Sequence, residues 1–211
     1  TVEAATALVC GLVAWRLAGA SGWLLAAWLC FAVAGMALAV IDWRTRRLPD
    51  VITLPSYLVL PALLAPSGAL AQGLLGMLGL GAIYAVLWFV RPDALGLGDV
   101  KLAGLIGLLT GALGLQAWLI AAVGGHLLGA VYALGLLITR RGTLRSEFPF
   151  GPFMLAAALA AWLAWYLLHG RWHEETDDAY VQGNVVSIVP QTSGTVTGIE
   201  ADEGDRVEAG Q

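Results

Sequence analysis

Residues 23–50 read WLLAAWLCFAVAGMALAVIDWRTRRLPD. The stretch from Trp23 to Ile41 holds no charged residue. A hydrocarbon core about 30 Å thick takes roughly 20 apolar residues as a helix, so this run is predicted to cross a bilayer. It ends at Asp42, passes through Arg44, Arg46 and Arg47, and turns at Leu48-Pro49-Asp50 into a second apolar run. Pro49 suits the first turn of a helix, where its missing N–H is no loss, and Asp50 there complements the helix dipole. Asp42 stands at the other pole, the C-terminal end of a helix, where the dipole disfavours negative charge. Something outside its own helix must favour it.

The rest of the chain follows the same pattern. Of its 211 residues 59% are hydrophobic and only 12% charged, and its mean hydropathy is +0.78, far from the balance of a soluble domain. Seven apolar runs, at about 3–19, 23–41, 51–66, 69–90, 100–112, 114–138 and 151–169, predict an all-α polytopic membrane protein of about seven transmembrane helices. The fifth is short, and Gly104, Gly107 and Gly111 would let a neighbouring backbone approach closely, as in a tilted or partly buried span. Arg44, Arg46 and Arg47 share one loop, Arg91 and Lys101 flank a second, and Arg140, Arg141 and Arg145 lie in a third. The alternating turns, Gly19–Gly22, Pro66–Gly68 and Gly111–Gly114, hold no Lys or Arg, and Arg16, close to the first of them, is the one dissenter and can snorkel. Positive charge marks the cytoplasmic side, so residues 170–211 are expected outside the cytoplasm, in a bacterial inner membrane. No basic stripe of the kind that neutralises phosphates is present, which excludes nucleic acid as a partner. Cys10 and Cys30 lie inside apolar runs and read as small hydrophobes.

The chemistry is expected where the basic loops meet the helices. Leu95-Gly96-Leu97-Gly98-Asp99-Val100-Lys101 places Asp99 at the mouth of the fifth span, behind Gly96 and Gly98, whose lack of a side chain permits tight backbone approach. By the inferred topology Asp42 and Asp99 share one membrane depth. Two carboxyl groups held together do not both ionise cheaply; one keeps a proton while the other activates a water.

Asp42 followed by Leu48-Pro49-Asp50, then Gly96-Leu97-Gly98-Asp99-Val100-Lys101, then Pro149-Phe150-Gly151-Pro152-Phe153 before the last span, resemble the type IV prepilin peptidases, polytopic aspartic proteases of the GxGD class. The resemblance covers about residues 1–165. It implies that Asp42 and Asp99 are the catalytic pair and that the enzyme cleaves the leader of a prepilin or secretion pseudopilin after a glycine at the cytoplasmic border. The partners it implies are the substrate's apolar helix and the lipid bilayer. Pro49, Asp50, Gly96, Gly98, Lys101 and Glu147 are supporting candidates. Lys101 is read either as tuning Asp99 or as a flank snorkelling to lipid phosphate, and Glu147 as binding a substrate amine or pairing with Arg145. Asp93 reads as a solvated loop charge. Bacterial members usually begin with a cytoplasmic segment of paired Cys-x-x-Cys motifs that bind zinc, together with a methyltransferase. Thr1-Val2-Glu3-Ala4-Ala5 resembles the helix that follows that segment, so the chain is expected to be a fragment, with no metal, no cofactor and no methyl transfer.

The charge divides near Gly170: nine Lys and Arg against six Asp and Glu before it, two against nine after it. Two domains are therefore expected, 1–169 in the membrane and 170–211 outside. In the second, alternating Val185, Ser187 and Val189 and the Gly-punctuated stretch from Gly194 to Val207 predict short β-strands. Trp172 to Val181 together with Glu203-Gly204-Asp205-Arg206-Val207 resembles the start of a periplasmic adaptor, or membrane fusion, protein of multidrug efflux, a truncated lipoyl-like half. The resemblance covers about residues 163–211 and implies contact between the tail and an efflux transporter. The alternative function is thus a non-enzymatic, membrane-anchored adaptor fragment or inactive chimera. His169 and His173, four apart, share a helix face but have no evident third metal ligand. A presenilin-like protease fits less well, because the last span is preceded by Phe148-Pro149-Phe150-Gly151-Pro152-Phe153 instead of that branch's Pro-Ala-Leu.

Overall fold

The computed structural model describes residues 1–17, 21–92, 95–141, 143, 148–165 and 194–195. Residues Thr1–Glu174 form one compact unit and Glu175–Gln211 a second. The helices all lie in the first: α1 (Val2–Arg16), α2 (Gly22–Thr45), α3 (Asp50–Leu64, ending in a 3₁₀ turn at Ala65–Ser67), α4 (Leu70–Val90), α5 (Leu97–Leu113), α6 (Leu115–Ile138) and α7 (Gly151–Trp165). Among the described residues, four segments, Gly22–Thr45, Asp50–Ser67, Leu70–Val90 and Leu115–Ile138, are long and apolar enough to cross a membrane. Val2–Trp15 and Gly151–Ala164 are shorter apolar helices, and α5 belongs to neither class. The chain is thus a helical membrane protein, and in place of the seven full-length spans expected, the described residues hold four long helices and three shorter ones. The β segment expected beyond residue 170 lies outside the described residues except for Gly194 and Thr195, which are in neither helix nor strand.

The apolar surface fits lipid. Val51, Leu58, Phe89, Leu115 and Ile138 are each at least 70% exposed, an arrangement that water would penalise and a hydrocarbon environment does not.

The centre is α5. Every residue from Leu102 to Gly111 is buried, as befits a helix that is apolar on all sides. The one hydroxyl in that stretch, on Thr110, donates back to the Ile106 carbonyl at 2.8 Å. Glycines permit this burial. A Cβ built at Gly107 would run into the Gly76 carbonyl of α4, and one at Gly111 would come within 2.9 Å of the Gly76 Cα and 3.0 Å of the Gln72 oxygen. Gly73 approaches the Leu108 oxygen as closely from the α4 side. The glycines therefore make a backbone-to-backbone seam, the close packing that small residues allow between membrane helices. The Trp118 indole N–H, from α6, closes the seam by donating to the Gly76 carbonyl at 2.9 Å.

Helix α7 packs on both α5 and α2, and its contact with α2 is aromatic. Trp28 stands 6.4 Å edge-on from Phe31 and 6.3 Å from Trp162, centroid to centroid. All three rings are buried.

Candidate active site

Asp42 is 5% exposed, on the last turns of α2. Its Oδ2 accepts the N–H of Gly151 at 3.0 Å. Gly151 is the first residue of α7, and the first N–H groups of a helix have no partner within it. The N-terminal pole of α7 therefore supplies both the hydrogen bond and the favourable dipole that α2 denies to Asp42. A Cβ on residue 151 would lie 2.8 Å from Asp42 Oδ2 and 3.4 Å from its Cγ, so a larger residue would have to push the carboxyl aside.

Asp99 is placed by a different device. Helix α5 begins at Leu97, three residues before the apolar run, with Gly96 as its N-cap. Asp99 thus falls inside the first turn, where negative charge is favoured. Its Oδ2 accepts the Gly96 N–H at 3.1 Å, and its own N–H donates to the Gly96 carbonyl at 3.1 Å. Gly98 lets the turn settle onto the loop after α2, since a Cβ there would be 3.0 Å from the Leu48 Cβ.

These two placements converge. Asp42 and Asp99 line one cavity of about 280 Å³, with Arg46, Arg47, Leu48, Gly96 and Gly98 as the other walls. Arg46 adopts a left-handed conformation, φ 53°, which ends α2 and turns the chain toward Leu48. Each carboxyl group is held by one backbone N–H, which fixes its position and leaves oxygen lone pairs for a substrate or a water.

Two of the remaining sequence candidates, Asp50 and Lys101, form a brace beside the cavity. Pro49 is the N-cap of α3 and Asp50 its first residue. Asp50 makes no side-chain cap; its Oδ1 instead accepts from Lys101 Nζ at 2.6 Å. The Tyr57 hydroxyl donates to the Lys101 carbonyl at 2.7 Å and rests against Gly104. Together these contacts lock α3 to the first turns of α5 and so fix the height of Asp99. The side chains of Lys101 and Asp50 are 34% and 56% exposed, so solvent weakens their attraction. Asp50→Asn should lower stability by only about 0.5 kcal/mol, measured by unfolding in detergent; a loss several times larger would show that the pair is a main tie between the helices. Glu147 and Asp93 lie outside the described residues. Among the described residues, no three His, Cys, Asp or Glu side chains are grouped to hold a metal.

Gly151 was visible in the sequence as part of a motif but not as the partner of Asp42. A second group was not visible at all. The buried Tyr84 hydroxyl lies 3.4 Å from His126 Nδ1, which is also 3.0 Å from the Ala122 carbonyl. Both rings pack on Phe150, at 6.4 and 5.4 Å, immediately before Gly151. The signal that was available is a titratable side chain halfway along an apolar helix, which is rare without a partner.

The profile of the type IV leader peptidase family matches residues 23–134, a span that includes both aspartates. The chain is 33% identical over 195 residues to a prepilin leader peptidase/N-methyltransferase of Aeromonas salmonicida, covering 83% of this chain and 60% of that protein. It is 36% identical over 168 residues to one from Burkholderia pseudomallei, covering 74% and 51%, and 30% identical over 190 residues to one from Pseudomonas aeruginosa, covering 86% and 60%. The chain thus spans half to three fifths of the length of these relatives. No solved structure matches it.

Proposed function

The chain belongs to the type IV leader peptidase family, and from that membership we propose that it is an aspartic endopeptidase that removes the leader of a type IV prepilin or secretion pseudopilin. The observation that carries the reading is the single cavity lined by Asp42 and Asp99. One proton is shared by the pair. The ionised carboxylate takes a proton from a water as its oxygen attacks the scissile carbonyl, and the protonated partner donates to the carbonyl oxygen. Collapse of the tetrahedral intermediate then breaks the C–N bond as a proton passes to the leaving amine. The Gly151 and Gly96 N–H groups position the two carboxyls without consuming their catalytic lone pairs.

The basic residues support a cytoplasmic location for this cavity. Arg44, Arg46, Arg47, Arg91, Lys101, Arg140 and Arg141 all belong to the loops and helix ends on its side of the helical order. In this topology α1, α5 and α7 cross with the four long helices, and the acidic tail emerges in the periplasm as a passenger. The proposal covers leader cleavage and assigns no methyl transfer to these residues.

The test is direct. The purified chain, incubated in lipid vesicles with a prepilin, should release a product shortened by the leader and cut after a glycine, as read by mass spectrometry. An unchanged substrate, or a cut within the mature helix, would overturn the reading. The geometry also makes Gly151→Ala informative. A methyl group in that position displaces the Asp42 carboxyl, and a misplacement of about 1 Å at a reacting group lowers the rate by roughly a hundredfold. A normal rate in Gly151→Ala would mean that the clamp does not set the position of Asp42.

A further inference from the structure

A peptidase that cuts next to an apolar helix has to hold that helix as well as the bond. A second cavity, of about 230 Å³, lies in the seam between α1, α2 and α7, walled by Val13, Ala32, Gly35, Ala39, Pro152 and Leu155 among others. Its lining is almost wholly apolar, and Ala156 at its edge is exposed.

Two observations tie this seam to the carboxyl pair. On α2 the residues Ala32, Gly35, Ala39 and Asp42 succeed one another at spacings of three, four and three, which puts them on one helix face. On α7, Pro152 directly follows Gly151, whose N–H holds Asp42. The groove thus leads along both of its longer walls to Asp42. From Trp28, which also lines it, to Asp42 is about 21 Å of helix, or some two thirds of a hydrocarbon core about 30 Å thick. The pocket between α4 and α6, lined by Gly76, Gly79, Gly111 and Trp118, does not qualify. Gly111 lies about 18 Å along α5 from Asp99.

Resting on the peptidase reading, we propose that the α1–α2–α7 groove is the seat of the substrate's apolar helix. A bond held at Asp42 and joined to such a helix obliges the helix to leave the cavity along an enzyme face that begins there, and this groove does. Ala32 and Ala39 keep its floor low, the condition under which a second membrane helix approaches closely, while Gly35 between them receives the Leu155 side chain of α7. A lipid acyl chain has no need of such a floor or of continuity with a hydrolytic centre.

The experiment is disulfide trapping in vesicles. The background carries Cys10→Ala, Cys30→Ala and Asp99→Asn, so that substrate is held uncut; single cysteines are introduced by Ala32→Cys, Ala39→Cys and, as a lipid-facing control on α3, Leu58→Cys. The probe is a type IV prepilin reduced to its leader and apolar helix, with single cysteines along that helix. Ala32→Cys and Ala39→Cys should trap it and Leu58→Cys should not. The preferred partner of Ala39→Cys should lie seven residues closer to the cleavage site than that of Ala32→Cys. Trapping without that register, trapping equal to the control, no trapping, or disulfides only between two copies of the enzyme would each overturn the groove assignment. Cleavage of the same probe by the unmodified chain is measured in parallel. Cleavage with no trapping rejects the groove alone, and no cleavage with no trapping rejects the peptidase reading with it.

Discussion

Asp42→Asn and Asp99→Asn should each lower prepilin cleavage by roughly 10⁴-fold or more, the scale on which loss of one member of a catalytic unit acts. Asparagine is the informative replacement because it preserves the structure. Oδ2 of Asp42 accepts the Gly151 N–H and Oδ2 of Asp99 accepts the Gly96 N–H; the amide oxygen of asparagine can accept both bonds in the same positions. What disappears is the ability to exchange a proton. Expression and thermal unfolding in detergent should therefore stay close to wild type while cleavage is lost. The double variant should be no slower than either single one, since two residues that work as a unit do not add. Additive losses, or cleavage retained by either single variant, would show that the two carboxyls do not act as a pair.

The second large effect is on the fold. Gly107→Leu should destabilise the protein by about 3 kcal/mol or more, because overpacking a close-fitting interface forces its backbones apart. The seam offers no flexible side chain to yield: what a Cβ at Gly107 meets is the backbone of Gly76 and the Leu80 Cβ. Gly81→Ala on the neighbouring helix is the control. A Cβ there finds only the Gly104 Cα at 3.8 Å, an ordinary contact, so its unfolding temperature should hardly move. Equal behaviour of the two variants would mean that α4 and α5 are not packed backbone to backbone. Because α5 carries Asp99, Gly107→Leu should also lose cleavage, and unlike the aspartate variants it should do so by losing its structure.

The helices were legible because their apolar runs are long and end in charge or in glycine and proline. The start of α5 was not. Gly96 and Gly98 read as loop residues, yet Gly96 caps the helix and Gly98 lies within it against Leu48. Asp99 was singled out for its position at the mouth of a span, but its place inside a helical turn depends on a bond to Gly96 that spacing alone does not reveal. Asp42 shows the converse. Its conflict with the dipole of α2 was plain from the sequence, whereas the remedy lies 109 residues further on in Gly151, and no local pattern links the two. Lys101 and Asp50 were read separately, one as tuning Asp99 or as a snorkelling flank and the other as a complement to its helix dipole, and it is the packing of α3 on α5 that joins them.

The burial of α5 bears on how the protein is made. In the proposed topology the helix brings Asp99, Lys101, Thr110 and four glycines to the membrane, a composition that enters hydrocarbon reluctantly as a single segment. It is also too short to be ranked with the long apolar helices. Its partition into lipid depends on a surface that has already arrived, and the glycine face of α4 is that surface. Since α4 precedes α5 in the chain, it emerges from the ribosome first. In the proposed topology the second aspartate is therefore expected to enter the bilayer as the guest of a helix already inserted.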